Sequence, residues 1–414
     1  MGQKTEYRKE IGYFAAVHFL LTAMTSFWSY STSYFRDIGF TGTQIGKINA
    51  VATFCAMLML PLTGIISDRI RSPRKAFFVF IACMLPANLI LAFSGSWGMP
   101  YWFFGLLSTI VITARQPANA MMESWAGGEV TRMGYSYGSI RRWGSFGYIC
   151  TSIMAACLFD KVIPMWTCLL FSAILAVPLL LLIGGRGGDS YSAPVMQKAK
   201  KTGESTLTLL KMVFCNYYFV TYLFLVMAFD LFLGIVNLDM SYLMEHIGEP
   251  DSSLGIVGGC RACTEVVVMI LLSRAKKLPP FWILLTFSGI LIAMEHLLYP
   301  AADSLFDMCL ITVLCSGLSG GMFYGYGSNY VFQIVNRRAA STAMAVLGVA
   351  RSLAGVVGSG VGGTIIDRFG VTALTTSVGL TSLALTLFFF AACVIGRAVL
   401  KKPYVSEMAQ PEKP

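Results

Sequence analysis

About twelve apolar runs, each close to the roughly 20 residues a helix needs to cross a hydrocarbon core, follow one another along this chain. The first six lie at roughly 11–35, 43–67, 76–95, 100–125, 139–159 and 164–184. The second six lie at roughly 214–243, 253–273, 280–300, 305–334, 340–363 and 371–396. Between the sets runs the one long hydrophilic segment inside the chain, Gly185 to Leu210, with Asp189, Ser190, Lys198, Lys200 and Lys201. The pattern predicts an all-α membrane protein: a six-helix bundle over 1–184, a flexible cytoplasmic linker over 185–210, and a second six-helix bundle with a short cytoplasmic tail over 211–414.

A chain that is 56% hydrophobic and 13% charged excludes soluble domains. The first apolar run follows Lys4, Arg8 and Lys9, is interrupted by Trp28, Tyr30 and Tyr34, and has no Ala-x-Ala site, so it is expected to be a retained helix and not a signal peptide.

The net charge of +10 could point to nucleic acid, but its distribution does not. Arg69, Arg71, Arg74 and Lys75, the linker lysines, Arg274, Lys276 and Lys277, and Arg337 and Arg338 all fall on one side of the predicted topology. The other side receives Arg36, Lys47, Lys161 and Arg368 together with Glu245, Glu249, Asp251 and Asp303. This positive-inside bias places both termini in the cytoplasm. The compact loops and short tails suggest a bacterial inner membrane, and a monomer is expected.

The eleven cysteines are scattered through apolar runs, where a free thiol behaves as a small hydrophobe. Cys260-Arg-Ala-Cys263 has no second ligand pair, so no metal, disulfide framework or cofactor is expected. The glycine-rich stretch Gly355 to Gly363 lacks the Gly-Lys-Ser/Thr of a phosphate loop and reads as close helix packing.

Enzyme motifs are present only as fragments. Gly134-Tyr-Ser136-Tyr-Gly138 precedes a membrane helix where a nucleophile elbow needs a strand-to-helix turn. Gly317-Leu-Ser319-Gly320 would need a histidine partner, and the chain has only His18, His246 and His296. No hydrolase is expected. His18 reads as packed and His246 as a loop residue.

Between the second and third runs, Gly64-Ile-Ile-Ser-Asp68-Arg69-Ile-Arg71-Ser-Pro-Arg74-Lys75 resembles the cytoplasmic gate signature of the major facilitator superfamily. Gly64, Asp68 and Arg69 are in register, whereas Arg71-Ser72-Pro73 stands where the family has a second glycine. An aspartate there can be held by arginine and a helix N-terminus, forming a latch.

Farther on, Glu123 precedes Gly138-Ser-Ile-Arg141-Arg142-Trp-Gly144-Ser-Phe-Gly147-Tyr148, a stretch similar to the lactose permease group of oligosaccharide/proton symporters. The resemblance implies that Glu123 and Arg141 hold solute hydroxyls and that Tyr148 covers a sugar ring. Asn119 and Arg115 on the same helix as Glu123 join this solute-binding set. A carboxylate accepts and a guanidinium donates in a fixed fork, which suits vicinal hydroxyls; a purely structural ion pair is the competing reading.

The same resemblance implies a structural pair of Asp230 with Arg351 and a proton-coupling role for Glu265. It fails elsewhere. Thr312 to Gly321 has neither the histidine nor the glutamate the group carries there, Leu233 replaces an acid, and Glu295-His296 stands near the group's ninth-helix arginine. Glu295 and His296 are therefore further proton-site candidates, with an interfacial histidine as the plain alternative for His296. Arg115 and Arg261 either neutralise Glu265 and Glu295 or receive an anionic solute.

The expected function is proton-coupled uptake of a small hydroxylated solute, a sugar, oligosaccharide or glycoside, by alternating access. A nucleoside or organic-acid symporter, an exporter, and a non-transporting membrane sensor are the alternatives.

Overall fold

The computed structural model describes residues 2–70, 72–133, 138–185, 206–275, 279–336 and 339–402. The first span is α1 (Gly2–Ser26), a 3-10 stretch (Phe27–Tyr30) and α2 (Ser31–Asp37) in succession. Then come α3 (Gly42–Ile70), α4 (Pro73–Ser94), α5 (Tyr101–Arg132), α6 (Gly138–Leu158) and α7 (Thr167–Gly184). The later helices are α8 (Thr206–Phe214), α9 (Tyr217–His246), α10 (Leu254–Arg274), α11 (Phe281–Leu298), α12 (Leu305–Thr312), α13 (Leu318–Ile334), α14 (Ala340–Phe369) and α15 (Val371–Ala398). A π-helical turn, Val313–Gly317, joins α12 to α13.

Among the described residues, nine helices are long and apolar enough to cross a membrane, or ten if the bent pair α8 and α9 is counted as one. The two long helices that fall short are α5 and α6, which carry Arg115, Glu123, Arg141 and Arg142. Polar groups in a spanning helix are costly and mark pathways.

The chain divides into two compact units, α1 to α7 with Pro250–Gly259, and α8 and α9 with everything from Cys260 onward. Inside the first unit α1 packs on α6 and α7, while α4 packs on α5 and α7. Inside the second, α9 packs on α14 and α15, while α11 packs on α13 and α15. These four pairings correspond one to one between the units, as internal repeats do.

Three local findings depart from the expected layout. Thr206–Phe214 is helical, so the last part of the predicted linker, 206–210, is ordered; 186–205 lie outside the described residues. This α8 meets α9 at 80°. Leu207 and Phe214 on it are exposed, as on a helix lying at an interface. Pro250–Gly259 groups with the first unit because Gly255 lets α10 close on the Ser152 carbonyl of α6, and Gly258 sits against the Tyr148 hydroxyl. His246 is the last residue of α9 and not part of a loop.

Small residues set the close approaches. A Cβ on Gly234 would lie 2.7 Å from Gly355 Cα, and one on Gly358 would lie 2.8 Å from the Leu231 carbonyl oxygen. Gly355, Gly358, Ser359 and Gly362 thus form the face of α14 that meets α9, with Ser359 Oγ donating to the Gly234 carbonyl at 2.8 Å. At Gly370, φ of +84° turns the chain from α14 directly into α15, a conformation costly for other residues.

Candidate functional site

In the first unit, α6 is drawn onto α1 by two glycines. A Cβ on Gly144 would lie 2.9 Å from Thr22 Oγ1, and one on Gly147 would lie 2.6 Å from the Phe19 carbonyl oxygen. The glycines of the symporter-like motif therefore seat the helix, and the seating sets the places of Arg141 and Tyr148, seven residues or two helical turns apart on one face. Arg141 lies within electrostatic reach of His18, whose Nδ1 is 3.5 Å from Thr22 Oγ1. Tyr148 lies within electrostatic reach of both Arg115 and Tyr30.

Arg115 and Asn119 sit on either side of Pro117 in α5. That proline has no N–H, so the carbonyl at Thr113 loses its helical donor at this level of the helix. Of Glu123, only its place on α5 is described; its side chain lies outside the described residues. The same holds for the gate residues Gly64, Asp68 and Arg69 at the end of α3. The expected Glu123–Arg141 partnership thus falls partly outside the described residues, while Arg115 and Tyr148 are brought together.

The second unit holds two polar groupings. In the first, Arg351 Nε lies 3.5 Å from Asp230 Oδ2, with the guanidinium also 5.8 Å from the Phe323 ring centre. Tyr324 of α13 lies within electrostatic reach of Arg261, Asp230, Glu265 and Arg351. Two acids and two bases balance there. Glu265 approaches α13 where that helix has no side chain: a Cβ on Gly320 would be 3.2 Å from Glu265 Oε2.

The second grouping is fully buried. Glu295 and His296 both have 0% exposure, so His296 is a packed residue and not an interfacial one. The Tyr299 hydroxyl donates to Glu295 Oε1, and the same hydroxyl lies 3.0 Å from Thr312 Oγ1. His296 Nδ1 is 3.0 Å from the Ile292 carbonyl oxygen, and its Nε2 is 3.8 Å from Asp239 Oδ2 on α9. Asp239, likewise 0% exposed, is the residue that sequence reasoning missed. The available signal was an acid nine residues beyond Asp230 in the same apolar run, which is half a helical revolution away. Asp230 meets α14 and Asp239 meets α11.

Among the described residues, no group of three or more His, Cys, Asp or Glu side chains is placed to hold a metal ion. The Cys260 and Cys263 thiols are free.

Residues 12–376 match the MFS_1 like family. A maltose permease of Geobacillus stearothermophilus is 24% identical over 365 residues, covering 87% of this chain and 85% of the permease. Among solved structures, a mutant of the nucleoside transporter NupG superposes with a TM-score of 0.78 at 17% identity, covering 92% of this chain and 99% of that one. A POT family transporter in complex with a thioalcohol-conjugated peptide gives 0.71 at 14% identity, covering 92% and 96%. At such identities the structural likeness shows the fold alone.

Proposed function

This chain belongs to the MFS_1 like family and is a multi-pass secondary transporter of the major facilitator type, and from that premise we propose that it takes up a small hydroxylated solute together with a proton. The observation carrying this reading is the approach of Arg115 on α5 to Tyr148 on α6. Arg115, Asn119, Arg141 and Tyr148 all lie on the two long helices that are not apolar enough to pass as simple spans. Guanidinium groups donate to hydroxyls, the Glu123 carboxylate would accept from them, and the Tyr148 ring would cover the C–H face of a sugar. The maltose permease relative supports a sugar, oligosaccharide or glycoside.

Proton coupling is assigned to Glu265 with Glu295 and His296. A carboxylate enclosed without a cation is strongly disfavoured, so an acid facing a closing cavity crosses in its protonated form. The termini are assigned to the cytoplasmic side.

A second reading, symport of an organic acid, rests on Arg115, a guanidinium at mid-helix beside Tyr148. Uptake into proteoliposomes under an imposed pH gradient, with maltose, a phenyl glycoside, uridine and benzoate as probes, separates the two. Accumulation of a sugar or glycoside that is lost in Glu123→Gln and Arg141→Gln supports the first reading. Accumulation of benzoate alone, lost in Arg115→Gln, replaces it with the second.

A further inference from the structure

Asp239, His296 and Glu295 form a buried set of ionisable groups on α9 and α11 in which the chemistry of each nitrogen and oxygen can be assigned. The Ile292 carbonyl can only accept, so His296 Nδ1 must carry a hydrogen and donate to it at 3.0 Å. That fixes Nε2 as the nitrogen that gains or loses a proton. It faces Asp239 Oδ2 at 3.8 Å, about 1 Å beyond a hydrogen bond. Among the described residues, no side chain hydrogen-bonds either carboxylate oxygen of Asp239, whose only donors are the backbone amides of its own helix at Asp239 and Met240, and Asp239 has no exposure.

The surroundings contain few other charges. α10 contributes Arg261, within electrostatic reach of both Glu295 and His296. The segment after α11 contributes Tyr299, and the α12–α13 segment contributes Thr312, Cys315 and Ser316. α15, packed along α11, has no charged residue before Arg397, and α14, packed along α9, carries Arg351, which pairs with Asp230, and Asp367 and Arg368, both exposed at its end. With two carboxyl groups and only Arg261 nearby, a cation shared with Glu265, the set stays anionic unless it holds at least one proton besides the one on Nδ1.

An independent feature marks the same place. Cys315 and Ser316 lie in the π-helical turn Val313–Gly317 that interrupts the α12–α13 helix beside Glu295. Such turns are rare, occur frequently at functional sites and free a backbone group for other use.

We propose that Asp239 and His296 bind the coupling proton between them, with Glu295 as the second acceptor; this rests on the proton-symport reading and adds Asp239 to it. An incoming proton adds either to the Nε2 lone pair, giving imidazolium facing carboxylate, or to Asp239, giving a carboxylic acid that donates to Nε2. The two forms differ only in where one proton resides, and its departure restores the anionic set. No other bond changes.

Infrared difference spectra of the full-length protein in proteoliposomes, recorded across pH, read this without any solute. A carboxylic acid C=O band that titrates together with a histidine band, the pair lost in Asp239→Asn and the acid band shifted in His296→Gln, is the expected result. Maltose transport adds a second readout. Both variants should lose accumulation driven by a pH gradient about tenfold or more, the scale of one unit in a proton affinity, and retain maltose counterflow.

Titration and accumulation unchanged in Asp239→Asn overturn the proposal. So does loss of counterflow in Asp239→Asn, His296→Gln and the charge-conserving Asp239→Glu alike, because the cluster is then structural. Failure of the wild-type protein to concentrate any probe under a pH gradient instead sinks proton symport itself.

Discussion

Asp239 and His296 belong to helices separated by a loop and a further helix, yet their side chains meet at 3.8 Å with no exposure of either. Tyr299 completes the enclosure by donating to Glu295. Tyr299→Phe leaves Glu295 Oε1 without that donor in a fully buried site, and destabilisation of about 1–3 kcal/mol is expected. Thermal melts in detergent at neutral pH check it; an unchanged melting temperature would show that the hydroxyl contributes nothing to holding the carboxyl.

Asp230 and Arg351 are a pair of a different kind, with side-chain exposures of 13% and 38%. Arg351→Gln strands the buried Asp230, at about 3 kcal/mol, the low end for buried pairs, and Asp230→Asn costs less because Arg351 is partly exposed. The double variant Asp230→Asn/Arg351→Gln should recover most of the folded yield lost by each single variant. Equal loss in the double variant would mean the two charges act independently.

Gly234 tests the packing of α9 on α14. Gly234→Ala places a methyl 2.7 Å from Gly355 Cα and 2.8 Å from its carbonyl oxygen, backbone atoms that cannot rotate away. A loss of about 1–3 kcal/mol follows. Gly12→Ala in α1, where nothing lies within 4 Å, is the control and should be neutral or stabilising by about 0.5–1 kcal/mol.

Asp160, in the turn between α6 and α7, gives a pH dependence. Burial, and then the charge of Asp251, push its carboxyl above the usual range, against the opposing pull of Arg36 and the Ser252 amide. A raised carboxyl contributes stability present below its unfolded value and lost as pH rises through its folded value. Asp160→Asn should therefore melt slightly higher than wild type at neutral pH, by no more than about 0.5 kcal/mol for so exposed a group, and the gain should vanish in acid. The residue has φ of +58°, which asparagine tolerates. A gain that persists in acid would point to the backbone and not to the charge.

The helix plan was legible because bilayer thickness and apolar run length leave few options, and the predicted 305–334 and the observed Leu305–Ile334 coincide. The site was legible only where a charge interrupted an apolar run beside a motif, as at Arg115 and Arg141. Asp239 escaped because its meaning depends on which neighbour its face of α9 meets, and the pairing of α9 with α11 is not written in either run alone. Gly144 and Gly147 are legible in the sequence as parts of a motif, whereas their physical role, seating α6 on α1, is visible only in the packed helices.

The most direct test of the central claim is the external pH of lightly buffered, de-energised right-side-out vesicles when maltose or a glycoside is added. Proton symport predicts alkalinisation on addition of the solute, abolished in Glu123→Gln and in Glu265→Gln. Solute entry with no pH change would contradict proton coupling, and a pH change produced only by benzoate would move the solute site to Arg115.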